Sequence, residues 1–206
     1  MIVNFTDNFQ FHTRLQLNNQ NIEIVDRMKI LGTVFTNQLK WTENCNILIR
    51  KVNNRMQLLR TVRSFGSTHT EMVHLWIVFC RSVLEQSCVL WDSGLTQENR
   101  EDLERTQKTF AKLVLEEDYK NYSHALQVLG LEKLETGRKA LTLSFAKSGI
   151  EDGVLNDLFP RRIKNHTMQT RKREHFKVTH AYTERFRFSP IVTMQRMLND
   201  DRRNNP

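Results

Sequence analysis

Basic residues form the pattern in this sequence that is best suited to chemistry, and the chemistry they suit is phosphate binding. Guanidinium and ammonium groups neutralise phosphates and release their counterions. No acid occurs between Glu43 and Glu71, so a helix over this stretch can bury one side and face a polyanion with the other. A solvated basic surface without a ligand is the alternative. The candidate binding residues in this stretch are Arg50, Lys51, Arg55, Arg60 and Arg63.

A second group of cations lies at the end of the chain. Residues 161–206 hold twelve Lys and Arg against four acids, whereas residues 1–160 hold 19 of each sign. Such a basic arm binds polyanions readily, although a solvated tail is the competing interpretation. The candidate contacts in the arm are Arg161, Arg162, Arg171, Lys172 and Arg173.

Catalytic and metal-binding patterns are missing from the sequence. The seven His residues form neither an H-x₃-H pair nor an HExxH motif, and there is no P-loop, nucleophile elbow or dinucleotide fingerprint. Two acidic runs, at residues 116–118 and 200–201, are predicted to be solvated surface charge rather than metal ligands. The sequence therefore predicts no catalytic residue, no metal site and no small-molecule substrate.

The cysteines indicate a reducing, intracellular environment, in the nucleus or the cytoplasm. Cys45, Cys80 and Cys88 are odd in number and irregularly spaced, so no disulfide framework follows. Cys80 and Cys88 lie in one apolar helical stretch and are expected to be buried structural thiols. The start of the chain lacks the features of a signal peptide. The most apolar run, residues 72–91, contains Arg81 and Glu85 and is predicted to be a buried helix rather than a membrane span.

The elements that position these residues begin with β-structure. Residues 9–17 alternate apolar and polar side chains, and a turn signal follows at residues 18–21. We expect a short hairpin there, then a strand that continues to Phe35, with Gly32 marking a bulge or a close backbone approach. Trp41 is expected to pack this hairpin onto the first helix.

From Thr42 the apolar residues recur at helical spacing, which predicts a chain of helices. Thr42 is the expected cap of the first helix and Ser123 that of the fourth. Trp76 and Trp91 are expected in the core, as are Phe79 of the second helix and Leu134, Leu141 and Phe145 of the fifth. The last helical turn or two should follow Pro190. The predicted helices are 42–63, a second that starts at Thr68 or Thr70 and ends at 91, and then 97–115, 123–129 and 134–147.

A series of motifs in this chain resembles the end of LINE-type, jockey-like non-LTR retrotransposon reverse transcriptases. Residues 24–34 read IVDRMKILGTV and residues 39–41 read LKW, similar to the family's V-x-x-x-K-Y-L-G-V and L-x-W. Ile30 stands where the family has an aromatic residue. Further matches occur in the same order, at NNRMQLLR (53–60), VLEQSCVLW (83–91), LERTQK (103–108), LGLEKL (129–134), RFRFSPI (185–191) and QRMLN (195–199). In the second of these, Val83 and Gln86 stand where the family has Pro and Tyr.

The resemblance implies a division into three parts. Residues 1–41 correspond to a β-hairpin and primer-grip remnant, with Leu31 and Gly32 at the grip; residues 42–153 to a helical, thumb-like domain; and residues 154–206 to a basic, partly disordered arm. The expected fold is therefore mainly α with a small N-terminal β-hairpin. The resemblance also implies that the catalytic palm and its Mg²⁺ would precede residue 1.

Two functions from different classes follow. The first is a fragment of an RNA-directed DNA polymerase that retains template–primer binding, with RNA or DNA duplexes bound without sequence preference and the palm and fingers as protein partners. The second is a helical interaction module, domesticated or inert, with no nucleic-acid role. No membrane partner is expected for either.

We predict that this chain alone does not extend a primer. Nucleotide addition requires metal ions held by positioned carboxylates, and the sequence offers none. Purified protein should give no more product than a mock preparation when it is incubated with primer–template, nucleotides and Mg²⁺ or Mn²⁺. Extension above that background would contradict the prediction.

Overall fold

A computed structural model describes residues 16–160 and 176–204 of the chain. The fold is mainly helical, with small antiparallel hairpins before the helices, which confirms the predicted fold class. Every residue from 45 to 115 is described, and no strand occurs among them. The change of period at Trp41 therefore marks the true boundary between β-structure and helix.

Two hairpins, rather than one hairpin and a long strand, precede the helices. Strands β1 (Gln16–Leu17) and β2 (Gln20–Asn21) pair across a turn whose two asparagines adopt positive φ. Strands β3 (Arg27–Ile30) and β4 (Thr33–Thr36) pair in antiparallel register. The prediction of an uninterrupted strand through Gly32 is wrong, because Leu31 and Gly32 form the turn of this second hairpin.

The helices follow in nearly the predicted order. The second predicted helix is divided: its middle, Trp76–Arg81, is π-helical, and it breaks at Ser87, which adopts a left-handed conformation with a φ of 53°. The α-helices are α1 (Thr42–Ser64), α2 (His69–Leu75), α3 (Ser82–Glu85), α4 (Cys88–Trp91), α5 (Gln97–Leu115), α6 (Tyr122–Leu129), α7 (Leu134–Glu151), α8 (Glu184–Arg187) and α9 (Pro190–Asn204).

A helix is capped where a side chain near its start accepts a hydrogen bond from a free backbone N–H. Thr68 and Glu71 form a reciprocal capping box at the start of α2. The predicted caps of α1 and α6 are wrong. Thr42 is the first residue of α1, with no side-chain cap before it, and Asn121 rather than Ser123 accepts the hydrogen bond that caps α6.

The main core lies between α1, the α2–α4 region, α5 and α6. Trp76 and Trp91 are fully buried, as predicted, and the Trp76 ring stacks on Phe110 with 4.5 Å between centroids. Gln107 sits in this core; it accepts from the Trp76 indole and donates to the Tyr122 hydroxyl. The core is therefore joined by polar as well as apolar contacts.

Trp41 holds the second hairpin against the helices, as predicted. Its ring lies edge-on to Phe35 at 5.4 Å, and Gly94 approaches it so closely that a Cβ there would lie 2.8 Å from the indole nitrogen. The hairpin gains two further anchors from α1. Asn44 accepts a hydrogen bond from the Val34 backbone N–H, and Glu43 pairs with Arg27 at 2.7 Å.

The buried face of α7 agrees only in part with the one that apolar spacing predicts. Leu134 is fully buried, as expected, whereas Leu141 and Phe145 are 44% and 48% exposed. The face that packs inward instead carries Arg138, whose side chain is completely buried. Arg138 Nε donates to Asp92 Oδ1 at 2.6 Å, and its guanidinium lies over the Trp91 ring. Asp92 thus neutralises the positive charge of Arg138, which occupies a buried position where an apolar side chain would be expected.

Helix α9 is longer than the helical turn or two expected after Pro190. It packs against α7 and α4, and its residues Met194 and Leu198 form a second apolar cluster with Ala146, Phe159 and Phe176. Residues 176–204 of the expected arm thus form part of the packed structure. The basic residues between 161 and 175 lie outside the described residues.

We predict that removing only one partner of the Arg138–Asp92 ion pair strongly destabilises the protein. Asp92→Leu should lower the free energy of unfolding by about 3–5 kcal/mol, because it leaves a buried charge without a counterion. The double variant Asp92→Leu, Arg138→Leu should recover most of that loss. Urea unfolding of both variants measures the difference, and equal losses in the two would contradict it.

Candidate nucleic-acid interface

The solvent-facing side of α1 carries a continuous row of polar side chains. All six members are exposed, and their spacing of three and four residues places them on one face, opposite the buried Leu48, Val52 and Met56. We call this row the polar stripe. From its first member to its last it extends about 27 Å, at about 1.5 Å per residue. It consists of Asn46, Arg50, Asn53, Gln57, Arg60 and Ser64.

The electrostatics of the polar stripe favour an anionic partner. Helix α1 carries five cations and one acid, whereas the rest of residues 1–160 holds 14 cations and 18 acids. The positive charge of this part of the chain is therefore concentrated on a single helix. Arg60 donates to Gln57 at 2.9 Å, a contact within the stripe. Arg50 has no hydrogen bond or ion pair with any described residue.

The other predicted cations of α1 do not join the stripe. Arg55 donates to the Phe79 carbonyl in the π-helical segment, and so links two helices. Arg63 is half-buried; it donates to the Ser67 carbonyl and lies 3.4 Å from Glu116. Lys51 is half-buried beside the core-facing side of α1. Of the five predicted contacts, the fold brings Arg50 and Arg60 together on one exposed face.

The neutral members of the stripe were not identified from the sequence. Asn46, Asn53 and Gln57 carry no charge, so a count of basic residues passes over them. The signal that would have found them is their repeat at helical spacing along a stretch without acids. Amide and hydroxyl side chains, like Arg, are common donors to phosphate and sugar oxygens.

The structure describes the C-terminal arm at residues 154–160 and 176–204. Arg161, Arg162, Arg171, Lys172 and Arg173 all lie outside the described residues. In the packed portion that follows, residues 176–204 hold six cations and three acids. Arg202 lies over the Phe176 ring at 5.2 Å, so its guanidinium contributes to packing at the end of α9.

The primer-grip-like residues Leu31 and Gly32 form a tight, projecting turn. Their φ values are 46° and 89°, a combination typical of a two-residue hairpin turn. Glycine adopts this conformation without strain, whereas leucine does so at a cost. The Leu31 side chain is 91% exposed, while its carbonyl accepts a hydrogen bond from Gln86. The turn is thus anchored to the helical body and presents an apolar side chain to solvent.

The cysteines of the described residues are buried, and the candidate metal ligands there do not cluster. No cluster of His, Cys, Asp and Glu suited to a metal ion occurs in residues 16–160 and 176–204. Burial raises the pKa of Cys45 to about 12 and the pKa values of Cys80 and Cys88 to about 11. All three thiols are buried, as predicted for Cys80 and Cys88, and their raised pKa values favour the protonated form at neutral pH.

Comparison of the chain with protein-family models, curated proteins and solved structures found no match. In the described ranges, no single helix has the length and hydropathy to cross a membrane. One bent pair, His69–Glu85 with Cys88–Gly94, meets those criteria by length and composition. Residues of that pair form much of the main core.

We predict that Leu31→Asn stabilises the protein. Asparagine adopts the left-handed conformation more readily than leucine, and the exposed leucine side chain has little packing to lose. The free energy of unfolding should rise by about 1 kcal/mol. The matched control is Leu58→Asn, which replaces an exposed leucine in the regular helix α1 and should give no gain. Thermal unfolding compares them, and a loss of stability in Leu31→Asn would contradict the argument.

Proposed function

We propose that this chain binds nucleic-acid duplexes without sequence preference, as the primer-grip and thumb portion of a LINE-type reverse transcriptase. The observation that carries the proposal is the polar stripe of α1, which is exposed, free of acids and positively charged. Its Arg, Asn, Gln and Ser side chains are donors to phosphate and sugar oxygens, which set position on a duplex but do not read sequence. Binding by such a surface depends mainly on counterion release.

The arrangement of the hairpin supports the same proposal. Strand β4 connects the Leu31–Gly32 turn to α1. Asn44 holds the hairpin on α1, the helix that carries the stripe, and Gln86 holds the turn on the end of α3. In the family that the sequence resembles, the corresponding hairpin lies beside the primer end and the following helix belongs to the thumb. A rigid turn next to a basic helix is consistent with those roles.

The exposed face of β3 is compatible with the palm as a protein partner. Met28 and Ile30 are 40% and 45% exposed, and they lie on the same side of the strand. In this proposal, the Mg²⁺ and the carboxylates of polymerisation belong to the palm and not to this chain. The chain itself contributes binding and positioning of the template–primer.

A second candidate function is a protein-interaction module. The π-helical segment exposes three consecutive apolar residues, Ile77, Val78 and Phe79, each by 44% or more, and Phe65 is 84% exposed. Exposed apolar clusters of this kind often mark protein contacts. This candidate predicts association that is insensitive to salt and independent of the polar stripe.

We predict that stripe and arm residues contribute separately to the salt dependence of duplex binding. The double variant Arg50→Gln, Arg60→Gln should flatten the slope of log affinity against log salt by about 2, since each phosphate contact contributes about −0.9. Changing Arg161, Arg162, Arg171, Lys172 and Arg173 to Gln should flatten it by roughly 4. Fluorescence polarisation of an RNA–DNA duplex over a salt series measures both.

Substitution is preferable to deletion of residues 161–206, because that deletion would also remove the packed helix α9. The matched control is Arg105→Gln, which removes one exposed positive charge from α5, a helix that is not part of the stripe. It should leave the slope nearly unchanged. A complex that is insensitive to salt, or an equal effect of the control, would favour the interaction module instead.

A further inference from the structure

A cleft of about 190 Å³ separates the helical body from the C-terminal helices, on a part of the molecule that the proposed function does not use. One wall comes from α4 and the turn after it, from α5 and from α7. The other wall comes from Phe188, which precedes α9, and from Pro190, Thr193 and Met197 of α9. The lining residues used below are Asp92, Ser93, Arg100, Lys139, Phe188 and Met197.

The charged wall of the cleft has a surplus of positive charge. Asp92 forms ion pairs with two arginines. Arg138 Nε lies 2.6 Å from Asp92 Oδ1, and Arg100 Nη1 lies 3.7 Å from the same oxygen. Glu135 is likewise shared between Arg100, at 3.7 Å, and Lys139, at 2.7 Å. This connected set holds three cations and two carboxylates, which leaves one positive charge uncompensated.

Several hydrogen-bond donors at the cleft are buried and unused. Ser93 Oγ has no hydrogen-bond partner among the described residues. Arg100 Nη1 has none within hydrogen-bond distance, because the two carboxylates that it pairs with both lie 3.7 Å away. Among the described residues, hydrogen-bond partners are also lacking for both Nη atoms of Arg138, behind the wall, and for Ser189 Oγ, between the lining residues Phe188 and Pro190. Buried donors without acceptors are uncommon in folded proteins and are costly when left unpaired. An acceptor placed in the cleft would satisfy the donors that line it.

The remainder of the lining is apolar. Val89, Phe188, Pro190 and Met197 supply hydrocarbon surface opposite and beside Arg100. A fully hydrated inorganic anion gains nothing from such a surface, whereas an organic anion buries its own hydrocarbon there. The volume is below the roughly 300–1,000 Å³ of pockets for drug-sized ligands, which indicates a small ligand.

We propose that this cleft binds a small organic monocarboxylate. The carboxylate accepts hydrogen bonds from Arg100 Nη1 and Ser93 Oγ and neutralises the surplus charge of the cluster. The short alkyl or aryl body of the ligand packs against Phe188 and Met197. Because the walls come from the helical body and from α9, the ligand also joins the C-terminal helix to the rest of the molecule.

The test uses the full chain and four probes: hexanoate, its neutral analogue hexanamide, benzoate and inorganic phosphate. We expect hexanoate and benzoate to bind with a Kd of about 1 mM or tighter, a value ordinary for ligands of this size. Hexanamide and phosphate should bind at least about tenfold more weakly, since each lacks one half of the recognised chemistry. Titrations followed by NMR chemical shifts give the affinities and locate the site.

Two variants separate the proposal from a general effect on the fold. Arg100→Gln should weaken hexanoate binding at least about tenfold, and Met197→Trp should block it by filling the cleft while leaving the charged wall intact. Arg105→Gln, one to two turns further along α5, is the matched control and should bind as the unaltered chain does. Duplex binding should be unaffected by all three, so the two proposals can fail independently.

The proposal is overturned if neither carboxylate binds, or if hexanamide or phosphate binds as tightly as hexanoate. It is also overturned if Arg100→Gln and Arg105→Gln have equal affinities, or if the shifted resonances lie away from the cleft. Selective binding of the two carboxylates, lost in Arg100→Gln and in Met197→Trp, establishes the site.

Discussion

The buried ion pair between Arg138 and Asp92 is the contact on which the arrangement of the helices depends. Asp92 lies in the turn after α4, Arg138 comes from the middle of α7, and Arg100 of α5 approaches the same carboxylate. A charge without water must remain paired, so any packing that separates these groups is strongly disfavoured. Apolar side chains tolerate small shifts of one helix on another. The ion pair does not, and it therefore fixes how α4, α5 and α7 meet and where α9 can pack.

The helical spacing of apolar residues predicted most of the helices correctly. It failed where a polar tertiary contact, rather than an apolar one, determines which face of a helix is buried. Helix α5 has the predicted limits because its apolar stripe is regular and Thr96 caps it. On α7, apolar spacing selected Leu134, Leu141 and Phe145. The structure buries Leu134 but exposes the other two, and it buries Arg138 instead. The sequence of α7 alone cannot predict that Arg138 is buried, because its counterion Asp92 lies 46 residues earlier in the chain.

The candidate interface shows the same division between composition and geometry. The concentration of cations on α1 was evident from the sequence, and so was their phosphate-binding chemistry. Which of them face solvent was not, because that depends on partners from other helices: the Phe79 carbonyl holds Arg55, and Glu116 lies beside Arg63. Gln86 likewise anchors the Leu31 turn from 55 residues away. Local sequence therefore determines which cations α1 carries, and contacts with distant residues determine which of them are free to face solvent.

The π-helical segment corrects the phase of a repeat that an ordinary helix could not keep aligned. Met72, Trp76, Cys80 and Leu84 are each four residues apart and each fully buried. In an α-helix, side chains four apart drift around the axis by about 40° per step. The wider turn between residues 76 and 81 needs more residues per revolution, so there the drift reverses and the four side chains stay in line. Removing one residue from this segment would rotate everything after it, including Trp91 and Asp92, out of register with the core.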